Sequence, residues 1–173
     1  MLQDFKDEFE RYKITGDRAI EQTSETWINQ KLGETTNSMA IIVRHLSGEM
    51  ISRFTDFLKT DGEKRNRNRD AEFHDIEYEY DEMMEYWTKG WAALDKAMAK
   101  LTEEDMTKIV TIRGKQLTVH EALARQVAHV AYHVGQIVTM SRLLVDEEWE
   151  WITIPRGKSQ LYNVNPKFEK RPL

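Results

Sequence analysis

Two histidines, His129 and His133, lie four residues apart in a segment with the apolar period of an α-helix. Residues at this spacing project from one helix face about one turn apart, so their imidazoles can approach a single ion. They belong to a band along one edge of the apolar stripe, made of Ala122, Gln126, His129, His133, Gln136 and Met140. The spacing leaves two alternatives open, a metal site or helix-edge histidines that hydrogen-bond to neighbouring helices.

A second predicted helix carries a similar polar edge, formed by His45, Glu49, Ser52 and Asp56. If the two edges face each other, three neutral imidazoles can hold a divalent ion and leave coordination positions open. Such an ion lowers the pKa of its water or of a bound thiol, which produces a nucleophile near neutral pH. Glu49 or Asp56 could replace His45 as the third ligand, and a site with two histidines and one carboxylate would favour iron.

Further roles follow from helical facing. Glu49 or Asp56 could orient a ligand histidine through its second nitrogen, and Gln126 or Gln136 could bond a bound group. Arg53, nearer the centre of its stripe, could meet an anionic substrate. We expect solvent exposure for His74 and His120. Basic residues of the tail and of one connection could bind anions or be solvated, and we favour solvent exposure for them: Arg156, Lys158, Lys64, Arg65, Arg67 and Arg69.

Several function classes are excluded or disfavoured. The chain has no Cys, which rules out disulfides, thiolate metal sites and cysteine nucleophiles. The pair His129-Val-Ala-Tyr-His133 has zincin spacing, but Val130 stands where a zincin has its general-base glutamate. A net charge of −5 argues against a nucleic-acid partner. No signal peptide and no apolar run of about 20 residues is visible, so we expect a cytoplasmic protein without a membrane partner.

Four segments must position these side chains. Helical periodicity covers Leu2 toward Trp27, about Asn37 (as N-cap) to Leu58, Ile76 to Leu101, and Thr118 to about Leu144. The last opens with Thr118-Val-His-Glu121, a capping box. Long helices with one apolar stripe are stable only when they pack together, which predicts an all-α four-helix bundle in a single domain, residues 1–173.

The connections differ in kind. Residues 59–75 are polar and long for a bundle loop, which predicts a crossover or a functional lid. Residues 107–117 place β-branched residues around a glycine, as in a small hairpin before the last helix. The tail, about 146–173, is expected to be irregular because it contains Pro155, Gly157, Pro166 and Pro172.

These elements together resemble a known family. One histidine in the second helix, a long gap, and His-x-x-x-His followed by x-Gly-Gln are similar to the DinB/YfiT-like superfamily. Three further stretches resemble one branch of it, a domain of unknown function: Asp61-Gly-Glu-Lys64, Arg67-Asn-Arg69-Asp70 with Glu72-Phe73, and Ile154-Pro-Arg-Gly-Lys-Ser159. The resemblance covers nearly the whole chain.

The resemblance implies an up-down-down-up four-helix bundle, often a homodimer. It also implies a divalent metal on His45, His129 and His133, with zinc or nickel first and iron or manganese as alternatives. Some relatives are thiol-dependent S-transferases and isomerases, which implies a low-molecular-weight thiol and a small electrophilic substrate as partners. We therefore expect a metal-dependent transferase or hydrolase, with a non-catalytic dimeric binding protein as the alternative.

Overall fold

The computed structural model describes residues 1–166, which are mostly helical with one two-stranded sheet. The helices are α1 (Leu2–Glu21), α2 (Met39–Phe54), α3 (Tyr80–Met98), α4 (Val119–Val145) and α5 (Ser159–Val164). The strands are β1 (Ile109–Ile112) and β2 (Lys115–Thr118), and short 3-10 turns cover Glu25–Trp27, Asp70–Phe73, Glu103–Thr107 and Asp146–Glu148. The predicted all-α class is thus confirmed in broad outline. No helix in this range is both long and apolar enough to cross a membrane.

The core lies between helices that pack in pairs, α2 with α3 and α1 with α4. The regular Met and Trp side chains of α3 are buried, as their spacing predicts for core residues. Gly90 lets α3 approach α2 closely, because a Cβ at this position would lie 2.7 Å from the Cα of Ser47. Glycine at position 90 therefore lets the two helices pack more closely than any larger residue would allow.

The predicted hairpin before α4 and the predicted capping box at its start are both confirmed. β1 and β2 pair antiparallel with Ile112 opposite Lys115, and the turn between them has positive φ at Arg113 and Gly114. Positive φ at both central residues is typical of a type I′ hairpin turn, which fits the right-handed twist of the strands. The capping box of α4 is present, with Thr118 and Glu121 satisfying each other's backbone N–H groups.

Helix ends differ from the predictions where tertiary contacts intervene. α2 is capped by Ser38, whose hydroxyl accepts from the backbone N of Ile41, and not by Asn37. α1 ends at Glu21 instead of continuing toward Trp27, with a separate 3-10 turn after it. α3 begins at Tyr80 and not at Ile76, because the amide of Asn29 pairs with both backbone groups of Tyr78 and keeps this stretch extended.

The connection between α2 and α3 is fastened to the rest of the molecule at its start. Asp61 accepts hydrogen bonds of 2.8 Å from the backbone N–H groups of Arg113 and Gly114. Burial raises the pKa of Asp61, but backbone hydrogen bonds outweigh it and lower the pKa to about 2. Ser52 on α2 donates to Gly62 O and accepts from the backbone N of Lys64. These anchors place the following residues over α2.

Candidate metal centre

The three predicted histidines lie together. His45 on α2 faces His129 and His133 on α4, with ring centroids 5.5 Å and 4.9 Å away, and the two α4 rings are 4.6 Å apart. One ring nitrogen of each lies within 4.8 Å of the others, and among residues 1–166 they form the one cluster of this kind. Tetrahedral zinc with Zn–N distances of about 2.0–2.1 Å separates its nitrogens by roughly 3.3 Å. A small closure of the rings would therefore bring the cluster to coordination distance.

His45 is oriented by a carboxylate that comes from the connection. Its Nδ1 lies 2.9 Å from Oε2 of Glu72, and both side chains are buried. Burial raises the pKa of Glu72, but hydrogen bonds from His45 and Arg67 bring it below its ordinary value. Glu72 is therefore ionised and accepts, so Nδ1 of His45 donates. In the neutral ring this tautomer leaves the lone pair on Nε2, which is the arrangement found in metal-ligating histidines.

Glu72 is itself held by a two-point ion pair. Nε and Nη2 of Arg67 donate to its two oxygens at 2.8 Å and 2.9 Å, which is the bidentate geometry that guanidinium and carboxylate favour. The Arg67 side chain is only 5% exposed, so the prediction of solvent exposure is wrong for this residue. The backbone anchors of Asp61 and Ser52 turn Arg67 inward, toward Glu72.

His133 is oriented by its own helix. Its Nδ1 lies 2.8 Å from Oε1 of Gln136, and because an amide oxygen only accepts, Nδ1 carries the proton. The amide nitrogen of Gln136 donates to the hydroxyl of Tyr132 at 3.3 Å. Nε2 of His133 is therefore also left with its lone pair. Gln136 thus contacts His133, and its suggested bond to a bound group stays a prediction.

His129 lacks such a partner. Its Nδ1 is buried without a hydrogen bond and lies 3.7 Å from Oε2 of Glu49. Glu49 is held on both sides, since Gln126 donates to Oε2 at 2.7 Å and Arg53 donates to Oε1 at 2.8 Å. A buried nitrogen without a partner costs free energy, so this atom needs a water or an ion beside it.

The electrostatics keep two of the rings neutral. The pKa of His129 is lowered from 6.5 to about 4, first by burial and then by nearby positive charges. The pKa of His133 is likewise lowered to about 4, first by burial and then by the other imidazoles. Both rings are thus deprotonated at neutral pH, and a metal ligand must carry a free lone pair.

A cavity of about 170 Å³ opens beside this cluster. Its lining combines two of the histidines with one carboxylate and a majority of guanidinium groups: His45, Glu49, Arg53, Arg67, Arg69, Ile112, Arg113, Arg125 and His129. The structure thus brings Arg53 and Glu49 to the site, as the sequence suggested.

The structure does not bring Asp56 there. Asp56 lies beyond the C-terminus of α2 with φ 49°, is exposed, and lines a different pocket beside α3. Its helical register is lost because α2 ends at Phe54. His74 and His120 are exposed, as expected, and lie outside the cluster.

Glu72, Arg67 and Arg125 were not identified as site residues from the sequence. Glu72 and Arg67 lie in a connection without periodicity, where no register can be assigned. The available signal was the Arg-rich stretch with Glu72-Phe73, which served only as a family marker. Arg125 lies four residues before His129, so the spacing of one helix face could have identified it.

A family model described as "Protein of unknown function (DUF1572)" matches residues 1–158. No curated protein and no solved structure matches the chain.

Proposed function

The chain belongs to the DUF1572 family of proteins of unknown function, and we propose that it is a divalent-metal enzyme of thiol S-transferase or hydrolase type. The observation that carries the proposal is the convergence of His45, His129 and His133, with one ring nitrogen of each within 4.8 Å of the others. The proposal includes the DinB/YfiT-like relationship and the up-down-down-up bundle, which rest on the resemblance of the sequence motifs.

The residues present fit a zinc or nickel ion better than an iron or manganese ion. Imidazole suits zinc, nickel and iron alike, but an open iron site typically combines two histidines with one carboxylate ligand, and manganese prefers carboxylate oxygens. The two carboxylates beside the cluster are already engaged: Glu72 pairs with Arg67 and His45, and Glu49 accepts hydrogen bonds from Gln126 and Arg53. The buried Nδ1 of His129 without a partner also fits an ion or a water at this place.

A bound ion of this kind would supply a Lewis acid that lowers the pKa of a water or thiol. The protein's own residues do the rest. Glu72 fixes the tautomer of His45, and Gln136 fixes that of His133, so both rings present Nε2. Glu49, buried 3.7 Å from His129, can accept a proton from that ring or from a group bound beside it. Phe73, whose ring centroid is 4.5 Å from that of His45, shields the ring from water.

The alternative is a non-catalytic dimeric bundle in which the histidines are structural. Its support is the hydrogen bonding of two of the rings within the protein, to Glu72 and to Gln136. It leaves the buried Nδ1 of His129 unexplained. For either function a homodimer remains part of the proposal, and sedimentation giving a mass near 20.5 kDa would contradict it.

Metal content tests the metal site. Untagged protein would be titrated with zinc and nickel by calorimetry and checked by elemental analysis. We expect one equivalent in the wild type and none in the His129→Ala/His133→Ala variant. Glu72→Gln should weaken binding by about 10- to 100-fold, because it removes the charge that holds His45. The matched control is His120→Ala, an exposed histidine of the same helix, which should bind as the wild type does.

A wild type without stoichiometric zinc or nickel would overturn the metal proposal, and so would an equal loss in His120→Ala. The enzyme claim needs a second measurement. Metal-loaded protein would be screened for conjugation of electrophiles with several low-molecular-weight thiols and for ester hydrolysis. Turnover that disappears in His45→Ala supports the proposal, whereas metal binding without turnover in either reaction supports the non-catalytic alternative.

A further inference from the structure

The cavity beside the histidines is unusual in its charge. Four separate segments each send guanidinium groups to it: α2 contributes Arg53, the connection Arg67 and Arg69, the hairpin turn Arg113, and α4 Arg125. Glu49 is the single carboxylate in the lining. Like charges at close range repel, so such a concentration is costly unless negative charge balances it.

The protein's own carboxylates balance only part of this charge. Arg67 is paired with Glu72 and Glu63, Glu63 also contacts Arg113 at 3.3 Å, and Glu49 pairs with Arg53. The five guanidinium groups therefore have only three carboxylates among their partners.

Two arginines remain without a carboxylate. Across residues 1–166, no acidic group lies within ion-pair distance of Arg69 or Arg125, and Arg69 stacks on the ring of Phe73 instead. An excess of positive charge is therefore left at the cavity.

A buried donor at the cavity also lacks an acceptor. The Arg53 side chain is only 8% exposed, and its Nε has no hydrogen-bond partner, although Arg53 lines the cavity. An unsatisfied buried donor on a charged group costs more than one on a neutral group. Burial lowers the pKa of Arg53, and Arg125 and Arg67 lower it as well, while Glu49 raises it. The missing component is an acceptor with negative charge.

The size of the cavity limits what that acceptor can be. A volume of about 170 Å³ corresponds to roughly six water molecules at about 30 Å³ each. This accommodates a carboxylate or a phosphate group but not a whole drug-sized molecule. The rest of a ligand would extend out of the opening, past the exposed side chains of Arg69, Arg113 and Arg125.

We propose that this cavity binds the carboxylate or phosphate group of a small-molecule substrate, held by Arg53, Arg69 and Arg125. His45 and His129 line the same cavity, so the anionic group lies directly beside the candidate metal ligands. This inference rests on the proposed function in one respect: if the histidines hold a catalytic metal, the substrate carries its negative group next to the reacting atom. Guanidinium recognises both anions with the same charge-assisted hydrogen bonds.

The test measures anion binding directly, so that it does not depend on metal or turnover. The full chain, treated with a chelator and then freed of it, is titrated by calorimetry with inorganic phosphate and, separately, with malonate at low ionic strength. We compare the wild type with Arg125→Gln, and use Arg11→Gln, an exposed arginine on α1, as the matched control. Because Arg125 is exposed, its substitution should leave the fold intact.

We expect one of the two anions to bind, Arg125→Gln to weaken that binding by about tenfold or more, and Arg11→Gln to change it little. The tighter anion identifies the group as phosphoryl or carboxyl. Binding of neither anion overturns the inference, and so does equal affinity in the wild type and Arg125→Gln.

A parallel zinc titration distinguishes this failure from failure of the metal proposal. Zinc binding without anion binding overturns only the inference. Anion binding that Arg125→Gln weakens, in a chain that binds no zinc, supports the anion site and overturns the metal proposal.

Discussion

Two glycines, on two different helices, each let a side chain from another part of the chain contact the helix backbone. One of these side chains is apolar and the other is charged. Gly16 on α1 faces the ring of Trp87, where an added Cβ would lie 2.7 Å from two ring carbons. Gly48 on α2 faces the carboxylate of Glu72, where an added Cβ would clash with Oε1 and lie 2.9 Å from Cδ. One contact is part of the apolar core, and the other positions the group that holds His45.

Packing of the core and geometry of the histidine site therefore depend on different contacts in this protein. Trp87 is buried, and its ring packs edge-on against that of Trp91 on the same helix, so the Gly16 contact contributes to packing. Glu72 is held by charge and hydrogen bonds at the end of a polar connection, so the Gly48 contact contributes to geometry at the site. Substitutions in the first region should therefore change stability, and those in the second should change metal affinity.

Lowering the pH should give the largest effect, a loss of stability that originates at the histidine site. His129 and His133 have a pKa of about 4 in the folded protein, against about 6.5 for an unperturbed histidine. The unfolded chain therefore binds more protons, so the free energy of unfolding is highest above pH 6.5 and falls as the pH drops toward 4. Between pH 7 and 5 we expect the metal-free protein to lose on the order of 3 kcal/mol, allowing for the partial exposure of His129. Urea denaturation at a series of pH values measures this.

Between pH 7 and 5 the histidines should dominate the change in stability. Asp61 and Glu72 have lowered pKa values, so the stability that they contribute is lost only near pH 4 and below. A His129→Gln/His133→Gln variant serves as the control and should flatten the curve between pH 7 and 5. An equally steep curve in that variant would assign the acid sensitivity to another part of the molecule.

Gly16→Ala should produce the next largest effect, and on stability alone. The ring of Trp87 is rigid, and its indole N–H is fixed by a 2.6 Å hydrogen bond to Asp17, so it cannot move away from the new methyl group. Overpacking of this kind costs about 2 kcal/mol, which urea denaturation at pH 7 would detect. Zinc affinity, measured on the same sample, should match the wild type. A tenfold loss of zinc affinity in Gly16→Ala would show that the two regions are not separate.

The sequence predicts the first region better than the second. Apolar periodicity locates the core side of each long helix, and the capping residues of α4 fix its start, because both signals depend on local spacing. The same periodicity places His129 and His133 on one helix edge, whereas His45 as their partner depended largely on the family resemblance. The connection that holds Glu72 and Arg67 has no period, and its course is set by Asp61 and Ser52 through contacts distant in sequence.

Helix ends show the same limit. The register that would have placed Asp56 at the site depends on α2 continuing past Phe54, and the chain instead turns with positive φ at Asp56. Asn29 delays the start of α3 by a contact made 49 residues away in sequence. Periodicity contains no information about either event, so these positions could be assigned only from the folded structure.

Gly48→Ala should give the smallest effect, and the most specific one. Alanine in a helix interior normally stabilises by up to about 1 kcal/mol relative to glycine, and this gain offsets the strain at Glu72. The free energy of unfolding should therefore change little, whereas zinc affinity should fall about tenfold because Glu72 can no longer hold His45 in place. Gly135→Ala on α4 is the matched control, since a Cβ there would meet nothing within 4 Å. If Gly48→Ala were to bind zinc as tightly as Gly135→Ala, the contact between Glu72 and α2 would have no role at the site, and both glycines would serve packing alone.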